Sequence, residues 1–444
     1  MSHQDKDDFR TALAELKELL EPIRSVSVEG TKRHGNAVLD LTGVMVIALL
    51  TFGWNRQQTL GDRFGDAKEA AQRAMGNVWL AGSFQALMVA LRACGDRLGR
   101  LLSDHLLAVL GQSDDWLLYD RPTFAVDGSQ FAVPRTKDNL AAFAAASRKA
   151  KSSYKKASDL AKAKTTQIAV SLCLHLGTGF PAFWNLGGSA DSERGLLLNM
   201  LDRLPTNARL VMDAYYYGFD FWNQLIDHGV TFVVRAGKNI DLLGQLSLHG
   251  KVKCRGDLVL YWPQNAIDAG HAPIVLSLMT VMVGRKKMFL LTNELTLSEQ
   301  QIADLYARRW GVEVFFRTVK QSYERCKLLS RTPENAKQEI QWTLLGVWIA
   351  MTEAARSIPP SRRLSPVRVM RAFERLVLAV SRMSAQTLSF QEELARSVIA
   401  DESSRSSDKN SKSYPRKKRK RQTGEPTIAP ITDELQKLAN EMLS

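Results

Sequence analysis

Three acidic residues stand out by their surroundings. Asp127 lies in FAVDGSQ, where a short apolar strand meets a turn, and Asp213 lies in LVMDAYYYG, at the C-terminal edge of a strongly apolar strand. Aspartate is unfavourable in strands, so each is a turn-former or a ligand, and singly each reads as a turn-former. Glu313 lies in LYARRWGVEVFFRTVKQ, residues 305–321. If the two strands are neighbours, their ends project both aspartates into one crevice, and Glu313 can add a third carboxylate from across it. Three convergent carboxylates raise one another's pKa unless a cation neutralises them. Oxygen ligands without His or Cys suit magnesium or manganese, and two such ions about 4 Å apart can grip both the attacking and the leaving oxygen of a phosphodiester. The chemistry indicated is phosphoryl transfer on nucleic acid.

The element that must carry Glu313 is a helix. TLSEQQIADLY ahead of it supplies Ser298 as a cap with Gln301 three residues on, and no Pro follows through residue 321. At about 100° per residue, Arg309, Glu313, Arg317 and Lys320 fall within roughly 60° of Tyr306 on the helical wheel, while Val312, Phe315 and Phe316 lie mostly off that stripe. The aromatic side is expected in a core and the polar stripe facing away from it. An ordinary solvated face, with Arg309 and Glu313 as a surface pair, is the plain alternative.

The aspartates need a sheet. TFAVDGSQFAV (123–133) reads as two short strand runs around a tight turn, followed by strands at 165–176, 179–188, 208–218 and 231–237, with helices at 192–203 and 219–228. Hairpins followed by alternating strands and helices describe a mixed α/β sheet. Residues 238–297 are again strand-like, and 321–396 are helical. Helices at 8–24, 34–54 and 65–112 precede the sheet. Among them Lys32, Arg33, His34 and Arg56 could touch DNA, although solvated surface is the plainer role for each.

Composition agrees with an anionic polymer as partner. The 444 residues carry 60 Lys and Arg against 46 Asp and Glu, a formal charge of +14, and 45% of them are hydrophobic. The longest apolar run, residues 41–54, is too short to span a bilayer, and the acidic, polar start MSHQDKDDFR is unlike a signal peptide. Cys94, Cys173, Cys254 and Cys326 are scattered without a C-x-x-C, which argues against zinc or a disulfide framework and for a reducing cytoplasm. Residues 137–164 hold eight Lys or Arg against two Asp, suiting either a phosphate backbone or a solvated loop. Residues 401–426, ending in the six bases Arg416 to Arg421, are expected to be a disordered basic linker before a short amphipathic helix that could dock or dimerise.

The spacing Tyr306, Arg309, Glu313, Lys320 resembles the full Y-R-E-K signature of bacterial insertion-sequence transposases of the DDE superfamily, in the insertion-sequence-four-like group. VDGSQ and MDAYYYG are similar to the settings of that family's two aspartates, and the resemblance covers roughly residues 120–345. It implies a ribonuclease-H-like mixed sheet with a β-rich insertion, flanked by helical regions. The expected division is a helical N-terminal DNA-binding domain (1–115), a catalytic core in two parts (116–237 and 298–345) around the insertion (238–297), a C-terminal helical region (346–400), the linker (401–426) and the closing helix (427–444). The resemblance further implies two Mg2+ ions, for which Mn2+ can substitute, with Asp127 bridging them and Asp213 and Glu313 each holding one. Cut-and-paste chemistry follows: hydrolysis at terminal inverted repeats in double-stranded DNA frees 3′-hydroxyls, which attack the other strand or the target DNA, with a homodimer pairing the ends in a bacterial cytoplasm. Tyr306 and Arg309 would grip a phosphate beside a flipped base, and Lys320 the end's backbone. Arg317 shares their face and Arg235 resembles a position near the active site. Trp262 is a candidate stacking platform or a core residue, and Asp191 and Glu193 read as helix-capping groups. A nuclease of the same core without strand transfer, or a non-catalytic DNA-binding relative, are the alternatives.

Overall fold

A computed structural model describes residues 3–28, 31–33, 37–76, 82–143, 166–188, 190–238, 240–244, 256–283, 286–357, 363–384, 388–399 and 425–443. Its centre is a sheet of eleven strands among the described residues. Five strands form the part that carries the acids: β1 (Arg121–Ala132), β2 (Gln167–His175), β3 (Pro181–Gly188), β4 (Arg209–Met212) and β5 (Thr231–Arg235). They lie in the order β3-β2-β1-β4-β5, with β1, β2 and β3 antiparallel and β1, β4 and β5 parallel, which is the ribonuclease-H-like topology.

The insertion extends this sheet. β6 (Asp241–Gly244), β7 (Asp257–Tyr261), β8 (Ile274–Val283) and β9 (Lys286–Thr292) continue it from the β5 edge, β9 pairing antiparallel with β5. The far edge is closed by β10 (Thr427–Pro430), which pairs in parallel with β6, and the helix after it, Asp433–Leu443, buries Ala439. The closing helix therefore docks on its own chain.

Period-two alternation divides the core in two. Phe124, Val126, Leu210 and Met212 enter one apolar cluster, with the helix Phe219–Asp227. Ala125 and Val211 enter the other, with the helical layer. That layer combines both ends of the chain: α1 (His3–Arg24), α2 (Leu41–Ala48) with a π turn over Leu49–Gly53, α3 (Leu60–Met75) and α4 (Phe84–Leu110) share one core with the later helices Pro333–Ser357 and Pro366–Arg382. Arg56, one of the N-terminal bases, is spent here, pairing with Glu374 at 2.6 Å.

Several expectations are corrected. Residues 37–39 are a strand rather than helix. Residues 123–133 contain no turn: β1 runs through Asp127 unbroken, because β2 pairs with it residue for residue from Phe124 to Ala132 and holds the polar Asp-Gly-Ser stretch extended. The basic stretch beyond residue 143, Cys254, His34 and the bases Arg416 to Arg421 lie outside the described residues.

Candidate active site

Register sets the two aspartates side by side. β1 and β4 pair through Thr123↔Arg209, Phe124↔Leu210 and Ala125↔Val211, and two residues beyond that last pair stand Asp127 and Asp213. β4 ends at Met212 while β1 continues, so the sheet opens into a crevice there. By the same alternation both aspartates follow Ala125 and Val211, whose cluster also contains Tyr306, Val312, Phe315 and Phe316. The sheet thus turns its acids toward the signature helix.

Each aspartate also serves its backbone. Asp127 Oδ1 accepts from the Gly128 N–H at 2.9 Å, and Asp213 Oδ1 accepts from the Tyr215 N–H at 2.8 Å. Turn-former and ligand are therefore compatible readings for Asp213. Burial pushes the Asp127 carboxyl up to about 7; the Gly128 N–H and Arg309 pull against this, while the charges of Asp213 and Glu193 add to it.

The signature helix begins with the expected box, Ser298 and Gln301 each satisfying the other's backbone N–H. It runs as Glu299–Arg308 and Trp310–Arg317, then widens into a π turn over Thr318–Ser322 that carries Lys320. Lys320 thus leaves the regular α-helix, yet it still faces the same crevice as Glu313 and Arg317. The wheel fails in facing the stripe away from the core: Tyr306 is 5% and Arg309 8% exposed. The Arg309 guanidinium donates to Glu313 Oε1 at 2.8 Å and lies 5.4 Å from the Tyr306 ring centre, with its Nε buried and unpartnered. This pair is no solvated ornament.

Asp127, Asp213, Glu313, Arg317 and Lys320 line one crevice of about 690 Å³, together with Glu193 and Tyr215. Lys320 Nζ sits 5.0 Å from the Phe131 ring centre, and burial lowers its pKa against the opposing charges of Cys326 and Asp127. Arg235 ends β5 and its charge reaches the Tyr306 phenol. Trp262 is not at the site. It is 4% exposed, its indole N–H donates to the His271 carbonyl at 2.8 Å, and it belongs to the core on the sheet's other face, which leaves no ring face for a base. The exposed aromatic at the crevice is Tyr215, 49% exposed, with the Arg194 guanidinium 5.6 Å from its ring centre. Its position two residues after Asp213 was the available signal.

The donors fit a hard divalent cation in kind, being carboxylate oxygens of Asp127, Asp213, Glu193 and Glu313 around one crevice. Among the described residues no three acids gather closely enough to hold one ion. The Arg309 pair holds Glu313.

The family described as Transposase DDE domain matches residues 118–349. The chain is 31% identical over 139 residues to the "Probable transposase for insertion sequence element IS5377" of Geobacillus stearothermophilus, covering 30% of this chain and 36% of that protein. It is 26% identical over 233 residues to "Transposase InsG for insertion sequence element IS4" of Escherichia coli (strain K12), covering 50% of this chain and 49% of that protein. The aligned parts thus span about a third to a half of these relatives. A cryo-EM structure of the piggyBac transposase synaptic complex with hairpin DNA superposes with a TM-score of 0.38 at 11% identity, over 90% of this chain and 86% of that one.

Proposed function

The chain belongs to the transposase DDE domain family, and from that premise we propose that it is a DNA transposase that cleaves the ends of its element in double-stranded DNA and joins the freed 3′-hydroxyls to target DNA. The observation that carries the reading is the register of β1 and β4, which sets Asp127 and Asp213 level with each other in a crevice also lined by Glu313. In this reading the three acids hold two divalent ions, Mg2+ or Mn2+, which supply an activated oxygen nucleophile and neutralise charge on the in-line phosphoryl transition state.

The chain's own groups prepare that site. Arg309 holds Glu313 in the DNA-free protein. A DNA phosphate entering the crevice would compete for the guanidinium, and the carboxylate it releases would complete the acid set. Tyr306 backs Arg309 through its ring face. Arg317 and Lys320 line the crevice as cations for the backbone of the terminal repeat, and Tyr215 offers a face to an unstacked base. A homodimer pairing two ends completes the proposal. No helix among the described residues is long and apolar enough to cross a membrane.

The test uses duplex oligonucleotides from the repeats flanking the gene, with Mg2+ and a target plasmid. Cleaved ends and joined products are expected from the native chain, and neither from Asp127→Asn, Asp213→Asn or Glu313→Gln, each of which should still bind the duplex. Cleavage without joined product would favour the nuclease. Full strand transfer by Glu313→Gln would remove that residue from the chemistry.

A further inference from the structure

We propose that Glu193 is a fourth carboxylate of the metal-holding crevice, entering from the sheet face opposite Glu313. The inference rests on the reading of that crevice as a divalent-ion site.

Glu193 opens the short helix Glu193–Leu198, whose Leu197 packs in the cluster on the face away from the signature helix. The residue that caps this helix is its neighbour. Ser192 is the N-cap, its hydroxyl accepting from the Gly195 N–H at 3.0 Å, and Asp191 Oδ2 accepts from the Gly188 N–H at 2.7 Å. The Glu193 side chain instead lies against the backbone beside Asp127. A Cβ at Gly128 would stand 2.3 Å from its Cδ and 2.6 Å from its Oε1. A side chain after Asp127 would have to push that carboxylate aside. This glycine has ordinary extended backbone in the middle of β1, so no turn calls for it. Its missing side chain is explained by the acid that fills its place.

A second observation points to the same spot. The Tyr216 hydroxyl is fully buried with no hydrogen-bond partner, and the largest of the charges that reach it are those of Glu193, Asp127 and Asp213, ahead of Cys173. A polar atom thus stays unmatched where the charges of these acids reach it. Glu193 also borders the crevice itself. Next to it Arg194 donates to the Tyr217 carbonyl in the loop that follows Asp213, so the same helix start ties down that loop. With β4 ended at Met212, the crevice is reachable from both faces. Asp127 and Asp213 lie at its floor, Glu313 on one side and Glu193 on the other.

The test is equilibrium binding of manganese(II) chloride to the full chain without DNA, read by the paramagnetic resonance of free Mn2+. Glu193→Gln keeps the side chain's size and should weaken Mn2+ binding roughly tenfold or more, as loss of a supporting ligand does at other metal sites. Gly128→Ala puts a methyl group where the carboxylate lies and should weaken it similarly. Thermal melting in EDTA verifies that both variants fold. A role confined to starting the helix would shift the melt and leave the Mn2+ affinity alone. Native affinity in Glu193→Gln, with Asp127→Asn abolishing binding, overturns the Glu193 inference while sparing the metal site. Equal Mn2+ binding by the native chain and Asp127→Asn overturns both.

Discussion

At the scale of single residues, Asp127 carries a cost that the fold tolerates. Burial holds its carboxyl at about 7, against about 3.9 in an unfolded chain. Between those values the folded state binds the proton more tightly than the unfolded one, so this residue's contribution to stability falls as pH rises through that window and is constant above it. In EDTA, Asp127→Asn should therefore melt higher than the native chain at pH 8, with the advantage shrinking to nothing near pH 4. An advantage that does not change with pH would show that the carboxyl ionises freely in the fold. Glu294 shows the opposite sign. Burial pushes its carboxyl up, but the hydrogen bonds and charge of Arg209 and the charge of Arg121 outweigh this and hold it below its usual value. Arg209 is 0% exposed and donates to both Glu294 oxygens at 2.8 Å. Glu294→Ala would strand that buried guanidinium at the foot of β4, and a loss of about 3–5 kcal/mol is expected in denaturant melts. A loss below about 1 kcal/mol would mean that water replaces the carboxylate.

At the scale of elements, what the sequence revealed was local. The Ser298–Gln301 box, the Tyr306–Lys320 spacing and the apolar strand ending at Asp213 all declare themselves within a few residues, and each stands in the structure as a cap, a helix and a strand end. What stayed hidden depends on partners far along the chain. Asp-Gly-Ser in β1 looks like a turn until β2 is laid beside it, and TIAP at 427–430 has no reason to be a strand without β6. Glu193 was hidden for the same reason: it reads as a helix-starting acid until Gly128 is brought against it. The π turn is a third case, since the widening that sets Lys320 has no composition signal. Lys320→Ala should weaken binding of the terminal duplex and lower the slope of log K against log salt by about 1 if the ammonium meets a phosphate. An unchanged slope would place Lys320 off the DNA path.

At the scale of the whole molecule, the two ends of the chain grip the catalytic sheet together. The π turn after α2 meets the Pro333–Ser357 helix so closely that a Cβ at Gly346 would stand 2.3 Å from Gly53 Cα, and Gly346→Ala is expected to destabilise by about 1–3 kcal/mol. Arg325, 1% exposed and three residues past the signature helix's π turn, donates to the Phe52 and Asn55 carbonyls of the N-terminal layer at 2.8 and 2.9 Å. The signature helix is thus anchored at its end, and in the proposed function the moving part is the Arg309 side chain, which pairs with Glu313 in the DNA-free protein. If both DNA and metal draw on that pair, their binding is linked, and linkage is reciprocal. A pre-cleaved terminal duplex, on which no hydrolysis remains to occur, should bind about 5–150-fold more tightly with saturating Mn2+ than in EDTA at matched ionic strength. Arg309→Ala, which cannot hold Glu313 back, should bind the duplex more weakly and lose most of that enhancement. Equal enhancement in the native chain and in Arg309→Ala would mean that the pair is a structural strut and that Glu313 reaches the metal by another route.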